Sequence, residues 1–364
     1  MKKVLVTGAC GFVGSHLVEL LMTEGFDVRA TDLEWANRRH IQRHIESGSV
    51  EYMSSDLRKS WELDSVVKDV EIVFHPGGLF NLTIDRETLN DVNVKGTFYL
   101  CLAAADRGVR KLINWSSSSI YGCWGDDRAA TEEDEIFPER MHNDYARSKY
   151  EQEKTAQKFG KTRGIKVISI RPADIYGQRT VMGSALPLKS LAAGVLQRPP
   201  AIKGKNGEYL KAKSSHVHVK DVARAALFLA LSEEAEGVYN VSEDEAIYNE
   251  ELFRRGAEVL GKEIKTGYEN PIIFRMIARL LGAYASTRNF LSSVSGNPER
   301  IYPPFDAASV DFMVKNHIVS NRRLRKLGFE FKHKMLEEVP GLAESYRSTK
   351  LGDVFSFARY RTAD

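Results

Sequence analysis

The chain has 364 residues, which is enough for one large domain or two coupled ones. Its 52 lysines and arginines nearly balance 49 aspartates and glutamates, and the two signs are interspersed, which argues against a nucleic-acid-binding protein. The three cysteines have no metal-ligand spacing, and no window reaches the ~18 consecutive apolar residues of a membrane span. We therefore expect a cytoplasmic protein with free thiols and no nucleic-acid partner.

Strand-like and helical segments alternate along the first two thirds of the chain. The run KVLVT at residues 3–7 ends in the glycine-rich GACGFVG, after which leucines recur at helical spacing. Further strand-like runs follow in the order FDVRATD, VEIVFH, KLINWSS, KVISIRP and GVYNVS, with helical patterns between most of them. This alternation predicts an α/β fold, with a doubly wound parallel sheet and helices on both faces.

The glycine pattern formed by Gly8, Gly11 and Gly14 lies directly between the first strand and the first helix. Glycines there permit a tight turn and a close approach of the backbone to a pyrophosphate, while the helix N-terminus offers free N–H groups. We expect these glycines, with Phe12 and Val13 at the start of the helix, to bind a dinucleotide in a Rossmann-type domain.

Carboxylates after the second and third strands refine the cofactor prediction. Asp32 ends the second strand, where a carboxylate takes the adenosine ribose hydroxyls and repels a 2′-phosphate, so NAD is favoured over NADP. Arg38 and Arg39 follow closely and would soften this preference. Asp56 and Leu57 follow the third strand, where a carboxylate would accept the adenine amino group, although an exposed loop aspartate is nearly as good an interpretation.

The alternation of strands and helices weakens after Gly177. Residues 178–215 are rich in loop-forming residues, and the chain is mainly helical after Asn240. We predict an NAD-binding domain made of residues 1–177 and 216–242, and a smaller, mostly helical substrate-binding region made of residues 178–215 and 243–364. The substrate would bind between them, since ligands of doubly wound sheets lie outside the carboxyl ends of the strands.

Four further motifs follow the glycines in a fixed order. They are Ser117 four residues before Tyr121 and Gly122, Tyr145 four residues before Lys149, RPADIYG at 171–177, and HVKD at 218–221. With these motifs the chain resembles the extended short-chain dehydrogenase/reductase superfamily, which includes the NAD-dependent epimerases and dehydratases, over about its first 245 residues.

The resemblance implies roles for particular residues. It implies that Ser117, Tyr145 and Lys149 are catalytic, that Tyr145 and Lys149 also contact NAD, and that Asn93 belongs to the cofactor site and supports the active-site helix. It further implies a homodimer formed through the helices that carry Asn93 and Tyr145. Within the run of four serines, counting back four residues from Tyr121 selects Ser117.

The chemistry of these side chains agrees with such roles. A tyrosine with an ordinary pKa of about 10 is a poor base at neutral pH. The Lys149 ammonium and the positive nicotinamide ring would lower the pKa of Tyr145, which would then take the proton of a secondary alcohol as hydride leaves its carbon. Ser117 would hydrogen-bond the same oxygen, and Lys149 would hold the nicotinamide ribose.

Two segments bear on the substrate class. Sugar-nucleotide members clamp a diphosphate with an arginine where this chain has Ser214, with His216 at the following aromatic position and Lys211 and Lys213 nearby as point charges. Residues 300–338 resemble the tail of the 3β-hydroxysteroid dehydrogenase and sterol 4α-carboxylate 3-dehydrogenase branch. These features favour an NAD-dependent dehydrogenase for a secondary alcohol of a small, hydrophobic, sterol-like molecule.

Two alternatives stay open for the function. The first is an epimerase, dehydratase or decarboxylase of nucleotide sugars that keeps NAD tightly bound. The second is a non-catalytic NAD-binding regulatory protein, which has no need of Ser117, Tyr145 and Lys149 together.

Residues 271–295 form a basic, apolar, helical pattern. Such a helix either lies on a membrane surface as a peripheral contact or packs as a lid on the substrate-binding region, and we favour the lid. The histidines His75, His142, His216 and His218 have no metal-ligand spacing, so we predict no metal site.

Overall fold

The predicted α/β fold is confirmed. The structure is a computed structural model that describes residues 2–124, 126–141, 143–180, 182–204, 206–295 and 299–361. Seven parallel strands form one sheet with helices on both faces, and a mostly helical region follows it in the chain.

The elements are as follows in chain order. The first part contains β1 (Lys3–Thr7), α1 (Phe12–Thr23), β2 (Asp27–Asp32), α2 (Gln42–Glu46), β3 (Val50–Ser54), α3 (Ser60–Val67), β4 (Ile72–His75), α4 (Arg86–Leu89), a π-helical turn (Asn90–Lys95), α5 (Gly96–Asp106) and β5 (Lys111–Trp115). The middle contains 3₁₀ turns (Ser118–Tyr121 and Pro138–Arg140), α6 (Asp144–Arg163), β6 (Lys166–Pro172), β7 (Asp174–Tyr176), α7 (Ala185–Ala192), β8 (Ile202–Lys203), β9 (Tyr209–Leu210), β10 (Lys213–Ser214), β11 (His216–His218), α8 (Val219–Leu231) and β12 (Gly237–Val241). The last part contains β13 (Ile247–Tyr248), α9 (Asn249–Leu260), α10 (Pro271–Val294), β14 (Glu299–Tyr302), α11 (Ser309–Val314), α12 (Arg322–Lys326), α13 (Met335–Ser345), α14 (Leu351–Val354) and β15 (Ala358–Arg361).

The order of the strands in the sheet is β12, β6, β5, β4, β1, β2, β3. Val4, Leu5 and Val6 of β1 have no exposed surface, because helices cover both faces of the sheet and a continuous apolar run is stable only there. Helices α1 and α8 cover one face, and α3, α5 and α6 cover the other. The chain direction across the sheet reverses between β1 and β4, which opens a crevice at their carboxyl ends.

A separate apolar cluster holds the mostly helical region together. It combines Leu188 and Leu191 of α7 with Phe253 of α9 and Met335 of α13. Both segments of the predicted substrate-binding region therefore contribute to one core, although about 60 residues separate α7 from α9 along the chain. Among the described residues, no helix is long and apolar enough to cross a membrane.

A buried ion pair fixes α6 to the sheet. Arg171 on β6 donates two hydrogen bonds to the Glu153 carboxylate on α6, at 2.9 and 2.6 Å, and both residues are 5% exposed. Arg171 also donates to the Tyr121 hydroxyl at 2.6 Å, and that hydroxyl donates to Asn240 at 2.9 Å. The RPADIYG motif, the Tyr121 turn and α6 are thereby joined in one network.

Breaking this pair is predicted to destabilise the protein. Glu153→Gln should lower the free energy of unfolding by about 3 kcal/mol, because it leaves the buried Arg171 charge without its counter-ion. Glu151→Gln on the same helix is the matched control, since its exposed pair with Lys154 contributes about 0–1 kcal/mol. Urea unfolding of the two variants measures the difference, and equal losses would show that the Arg171 pair is not a structural requirement.

Candidate functional site

The glycine turn forms a close-packed cradle at the start of α1. Gly8 has a φ of +59°, and a Cβ atom built on Gly14 would lie 2.1 Å from the Gly8 carbonyl oxygen. Gly11 precedes α1, and within the described part of the chain no side chain caps the N–H groups of its first turn. The turn therefore accepts only small residues and presents free backbone donors, which is the geometry that a pyrophosphate requires.

The loop after β4 packs directly on this turn. A Cβ atom built on Gly77 would lie 2.6 Å from Thr7 Oγ1, and one built on Gly8 would lie 2.7 Å from Gly77 Cα. His75, at the end of β4, bridges Thr7 and Thr97 through its two ring nitrogens, at 2.7 and 2.8 Å. Burial lowers the pKa of His75 to about 3, and the Lys149 charge adds to that effect. His75 is therefore a neutral structural residue.

Asp32 lies at the edge of the same cradle. Its carboxylate accepts the backbone N–H groups of Cys10 at 2.9 Å and of Leu33 at 2.8 Å. Burial raises the pKa of Asp32, and the two N–H bonds oppose that effect. Arg38 lies over the Tyr52 ring, 4.5 Å from its centroid, and donates a hydrogen bond to the backbone of residue 34.

Asp56 and Leu57 follow β3 as predicted. Arg58 holds the Asp56 carboxylate with side-chain hydrogen bonds of 2.5 to 3.1 Å. Burial would raise the pKa of Asp56, but the bonds from Arg58 outweigh it and lower the pKa. Leu57 packs under α5, since a Cβ atom on Gly96 would lie 2.8 Å from Leu57 Cβ. A contact between Asp56 and the adenine amino group stays a prediction.

Asn93 joins the loop after β4 to α6. Its side-chain amide donates to Ser148 Oγ at 3.0 Å, and its carbonyl oxygen accepts the Leu79 backbone N–H at 2.8 Å. A Cβ atom on Gly78 would lie 2.8 Å from Asn93 Oδ1 and 4.0 Å from Lys149 Nζ. Asn93 therefore holds this loop beside Lys149.

Tyr145 and Lys149 are buried one helical turn apart on α6, and Ser117 is partly buried. The Ser117 hydroxyl lies near the Tyr145 side chain, which is 7% exposed. Burial raises the pKa of Tyr145 well above its usual range, and the nearby Ser117 hydroxyl partly opposes this. Burial also lowers the pKa of Lys149 to about 7, although the Glu153 charge acts in the opposite direction.

Lys149 belongs to a buried polar chain that the sequence motifs do not reveal. Its ammonium donates to Gln152 Oε1, and Gln152 Nε2 donates to Asn114 Oδ1 at 2.8 Å. Asn114 in turn donates to Ser169 at 3.2 Å, and Gln152, Asn114 and Ser169 have no exposed surface. The three-residue spacing of Lys149 and Gln152 on a helix was the available signal.

His317 is a second residue that the sequence did not reveal. Its ring bonds Ser118 Oγ at 2.8 Å on one nitrogen and the Gly122 carbonyl at 2.8 Å on the other. Ser119 Oγ lies 2.8 Å from Ser117 Oγ. Ser118 is therefore held by the C-terminal region, and Ser117 is the serine of the run that influences Tyr145.

Apolar side chains surround Tyr145. Tyr145 shares a buried cluster with Ile84, Leu89 and Tyr302, and Leu79 and Leu82 pack against it. The Phe80 ring meets the Tyr145 ring edge to face at a centroid distance of 5.1 Å. Tyr302 also donates to Asp85 at 2.8 Å, which ties the loop after β4 to β14.

The residues at the predicted diphosphate position have partners within the protein. Lys211 pairs with Glu250 and Lys213 with Asp127, each at 3.2 Å. Ser214 pairs in register with Ile247. His216 faces Asp174 at 3.4 Å.

One group of three side chains has the residue types of a metal site. His218, His333 and Glu338 have ligand atoms within 4.8 Å of one another. The two rings are stacked at 4.0 Å with an interplanar angle of 21°, and His333 also contacts Asp221 at 3.1 Å. In-plane lone pairs of stacked rings do not converge on one ion. The absence of a metal site stays a prediction, and His142 lies outside the described residues.

Comparison with known proteins identifies the family. The model of the NAD dependent epimerase/dehydratase family matches residues 4–242. The chain belongs to this family. It is therefore an NAD-dependent enzyme, and the glycine cradle described above fits that cofactor.

Individual relatives differ in their reported substrates. A 3beta-hydroxysteroid-dehydrogenase/decarboxylase (isoform 2) of Arabidopsis thaliana is 31% identical over 52% of this chain, a match that spans only 34% of that protein's length. A putative UDP-glucose 4-epimerase of Methanocaldococcus jannaschii is 28% identical over 74% of this chain and 86% of its own length. The structure of the Thermus thermophilus UDP-glucose 4-epimerase with NAD aligns with a TM-score of 0.70 at 23% identity, covering 95% of this chain and 99% of the other, which shows a shared fold.

The contact between Lys149 and Gln152 leads to a prediction about pH. Gln152→Leu should lower the pKa of Lys149 by about one further unit or more. A hydrogen bond to a charged group contributes about 1.5–3 kcal/mol, and one pKa unit corresponds to about 1.4 kcal/mol. The Lys149 ammonium predominates below its pKa. NAD binding that depends on the ammonium should therefore weaken as the pH rises through this pKa. The midpoint of that loss should lie at a lower pH in the variant than in the unaltered protein.

Calorimetric titration with NAD across the pH range measures this midpoint. Gln157→Leu is the matched control, since Gln157 lies on the same helix and bonds Ser169 at 3.0 Å but does not contact Lys149. An identical midpoint for Gln152→Leu and the unaltered protein would mean that Gln152 does not hold the ammonium.

Proposed function

We propose that the protein is an NAD-dependent dehydrogenase that oxidises a secondary alcohol of a hydrophobic, sterol-like substrate. The observation that carries the proposal is the apolar cluster that contains Tyr145, together with Ile84, Leu89 and Tyr302. A fused-ring alcohol would bury apolar surface there at about 25 cal/mol per Å², whereas a sugar would leave hydroxyl groups without partners.

The roles of the side chains follow from their surroundings. Hydride acceptance is the chemistry that NAD supplies when it is bound. Tyr145 takes the alcohol proton, and Ser117 hydrogen-bonds the alcohol oxygen and orients it. Because burial raises the pKa of Tyr145, the phenolate requires nearby positive charge, which Lys149 supplies in its ammonium form. Asn93 holds α6 and the loop after β4 in fixed positions for this step.

The lysines near Ser214 weaken the case for a nucleotide sugar. Both have carboxylate partners, and neither offers the bidentate geometry of an arginine. The Arabidopsis relative's name supports a steroid substrate over the matched half of this chain. A purely regulatory NAD-binding role is disfavoured, because a sensor does not require Ser117, Tyr145 and Lys149 together.

A nucleotide-sugar epimerase is the second candidate. The observation that favours it is a cavity of about 320 Å³ lined by Tyr209, Tyr268, Lys203 and Arg275, since aromatic and cationic side chains suit a nucleotide. The coverage of the Methanocaldococcus relative agrees with this candidate.

We also propose a cytoplasmic homodimer formed through α5 and α6. Phe98 on α5 is 43% exposed and meets Phe159 of α6 at a centroid distance of 5.3 Å. Aromatic side chains on a helix surface are typical of protein interfaces.

Purified protein should be incubated with NAD and either 3β-hydroxysteroids and 4-carboxysterols or UDP-sugars, with NADH followed by absorbance. We expect NADH to form with a steroid. Conversion of a UDP-sugar without accumulated NADH, detected by chromatography, would support the second candidate and contradict the first.

Tyr145→Phe is predicted to reduce turnover by at least about a hundredfold, which is the lower range for loss of a general base. NAD affinity should change little, because the ring and its packing are retained. Tyr150→Phe on the same helix is the matched control. Near-normal turnover in the Tyr145 variant would remove the proposed mechanism.

A further inference from the structure

Helix α10 leaves most of its surface uncovered. Only Pro271, Ala278 and Ala285 of its 24 residues are buried. Eight of its large apolar side chains are 51–72% exposed, and they are Ile272, Ile273, Met276, Leu280, Tyr284, Phe290, Leu291 and Val294. These are eight of the seventeen large apolar side chains that are exposed in the described part of the chain. The patch is therefore concentrated on one element, which points to a binding surface.

The exposed side chains run along the helix as a stripe. Met276, Leu280, Tyr284 and Leu291 recur at spacings of four and seven residues, which keeps them on one side of an α-helix. At 1.5 Å per residue the helix is about 36 Å long, so the stripe suits an extended, flat partner. The predicted lid contact is present on the opposite side, where Ala278 and Ala285 are buried and Phe274 packs against the core of the helical region.

The charges on α10 have a single sign. Residues 271–294 contain three arginines and no aspartate or glutamate. Arg275 pairs with Asp311 at 2.6 Å, and Arg288 approaches Glu299 at 3.6 Å. Arg279 is exposed beside Leu280 at the edge of the stripe.

The single charge sign of α10 distinguishes between two possible binding partners of the stripe, a second copy of the chain and a membrane surface. If two copies paired through the stripe, it would supply no carboxylate for Arg279, and the arginines of the two helices would repel one another. A membrane surface with anionic lipids offers both an apolar layer for the stripe and a negative charge for Arg279.

We propose that α10 docks this protein on the surface of an anionic membrane. Docking places the membrane on the element next to β14, because Asn289 of α10 makes hydrogen bonds of 2.8 and 2.9 Å to the backbone of Ile301 on β14. The neighbouring Tyr302 belongs to the apolar cluster around Tyr145. The surface interaction is independent of the proposed activity, so it is tested without a substrate.

Flotation of the full chain with lipid vesicles tests the proposal. Vesicles of phosphatidylcholine with about 30 mol% phosphatidylglycerol should bind at least about tenfold more protein than vesicles of phosphatidylcholine alone. The double variant Leu280→Gln with Leu291→Gln should lose about tenfold or more of this binding. Arg279→Gln should lose mainly the preference for anionic lipid.

Trp61→Gln on α3 is the matched control, since Trp61 is 72% exposed but lies on another element, and its binding should equal that of the unaltered protein. Thermal melting verifies that each variant is folded, and the comparison of the two vesicle types needs no variant at all. Equal binding to both vesicle types, or no loss in the double variant, would overturn the proposal. Dimerisation in solution that the double variant abolishes, without vesicle binding, would assign the stripe to a second copy.

Discussion

The geometry of the cofactor site depends on the contact between two glycine backbones, at the point of the sheet where the chain direction reverses between β1 and β4. Because β1 and β4 are neighbours, the turns that follow them meet, and Gly8 and Gly77 approach more closely than any side chain allows. That contact brings the loop after β4 over Asn93 and Lys149.

Helix α6 is held from two sides, and the two attachments have different consequences. The Arg171–Glu153 pair fixes its position on the sheet, and the chain through Gln152 and Asn114 reaches the Lys149 amine itself. Both lie in a low-dielectric interior, where unpaired charge is costly and hydrogen-bonded charge is strongly oriented. The helix therefore combines rigidity with a lysine whose pKa of about 7 makes its charge sensitive to its surroundings.

The C-terminal region completes the site from a distance. Tyr302 closes the apolar cluster over Tyr145, and His317 holds the serine run that carries Ser117. The same region carries α10, which packs against β14 and bears the exposed stripe. In our proposals, substrate preference and surface attachment reside in this part of the fold, while hydride chemistry resides in the other. Such a division allows the substrate to vary without changes in the cofactor cradle.

Local patterns in the sequence were sufficient for the α/β class and the glycine turn, because each depends on residues that are close along the chain. The selection of Ser117, Tyr145 and Lys149 came instead from the family resemblance that the ordered motifs carry. The roles of these three side chains toward NAD and substrate stay predictions. Only the tertiary structure revealed His317, which bonds a serine 199 residues away, and Tyr302, which bonds Asp85 across 217 residues. Likewise, the sequence left the helix at 271–294 between a lid and a surface helix, and the structure showed which of its sides is covered. Contacts of this kind arise from the packing of whole elements, and a local pattern contains no information about which distant element will cover it.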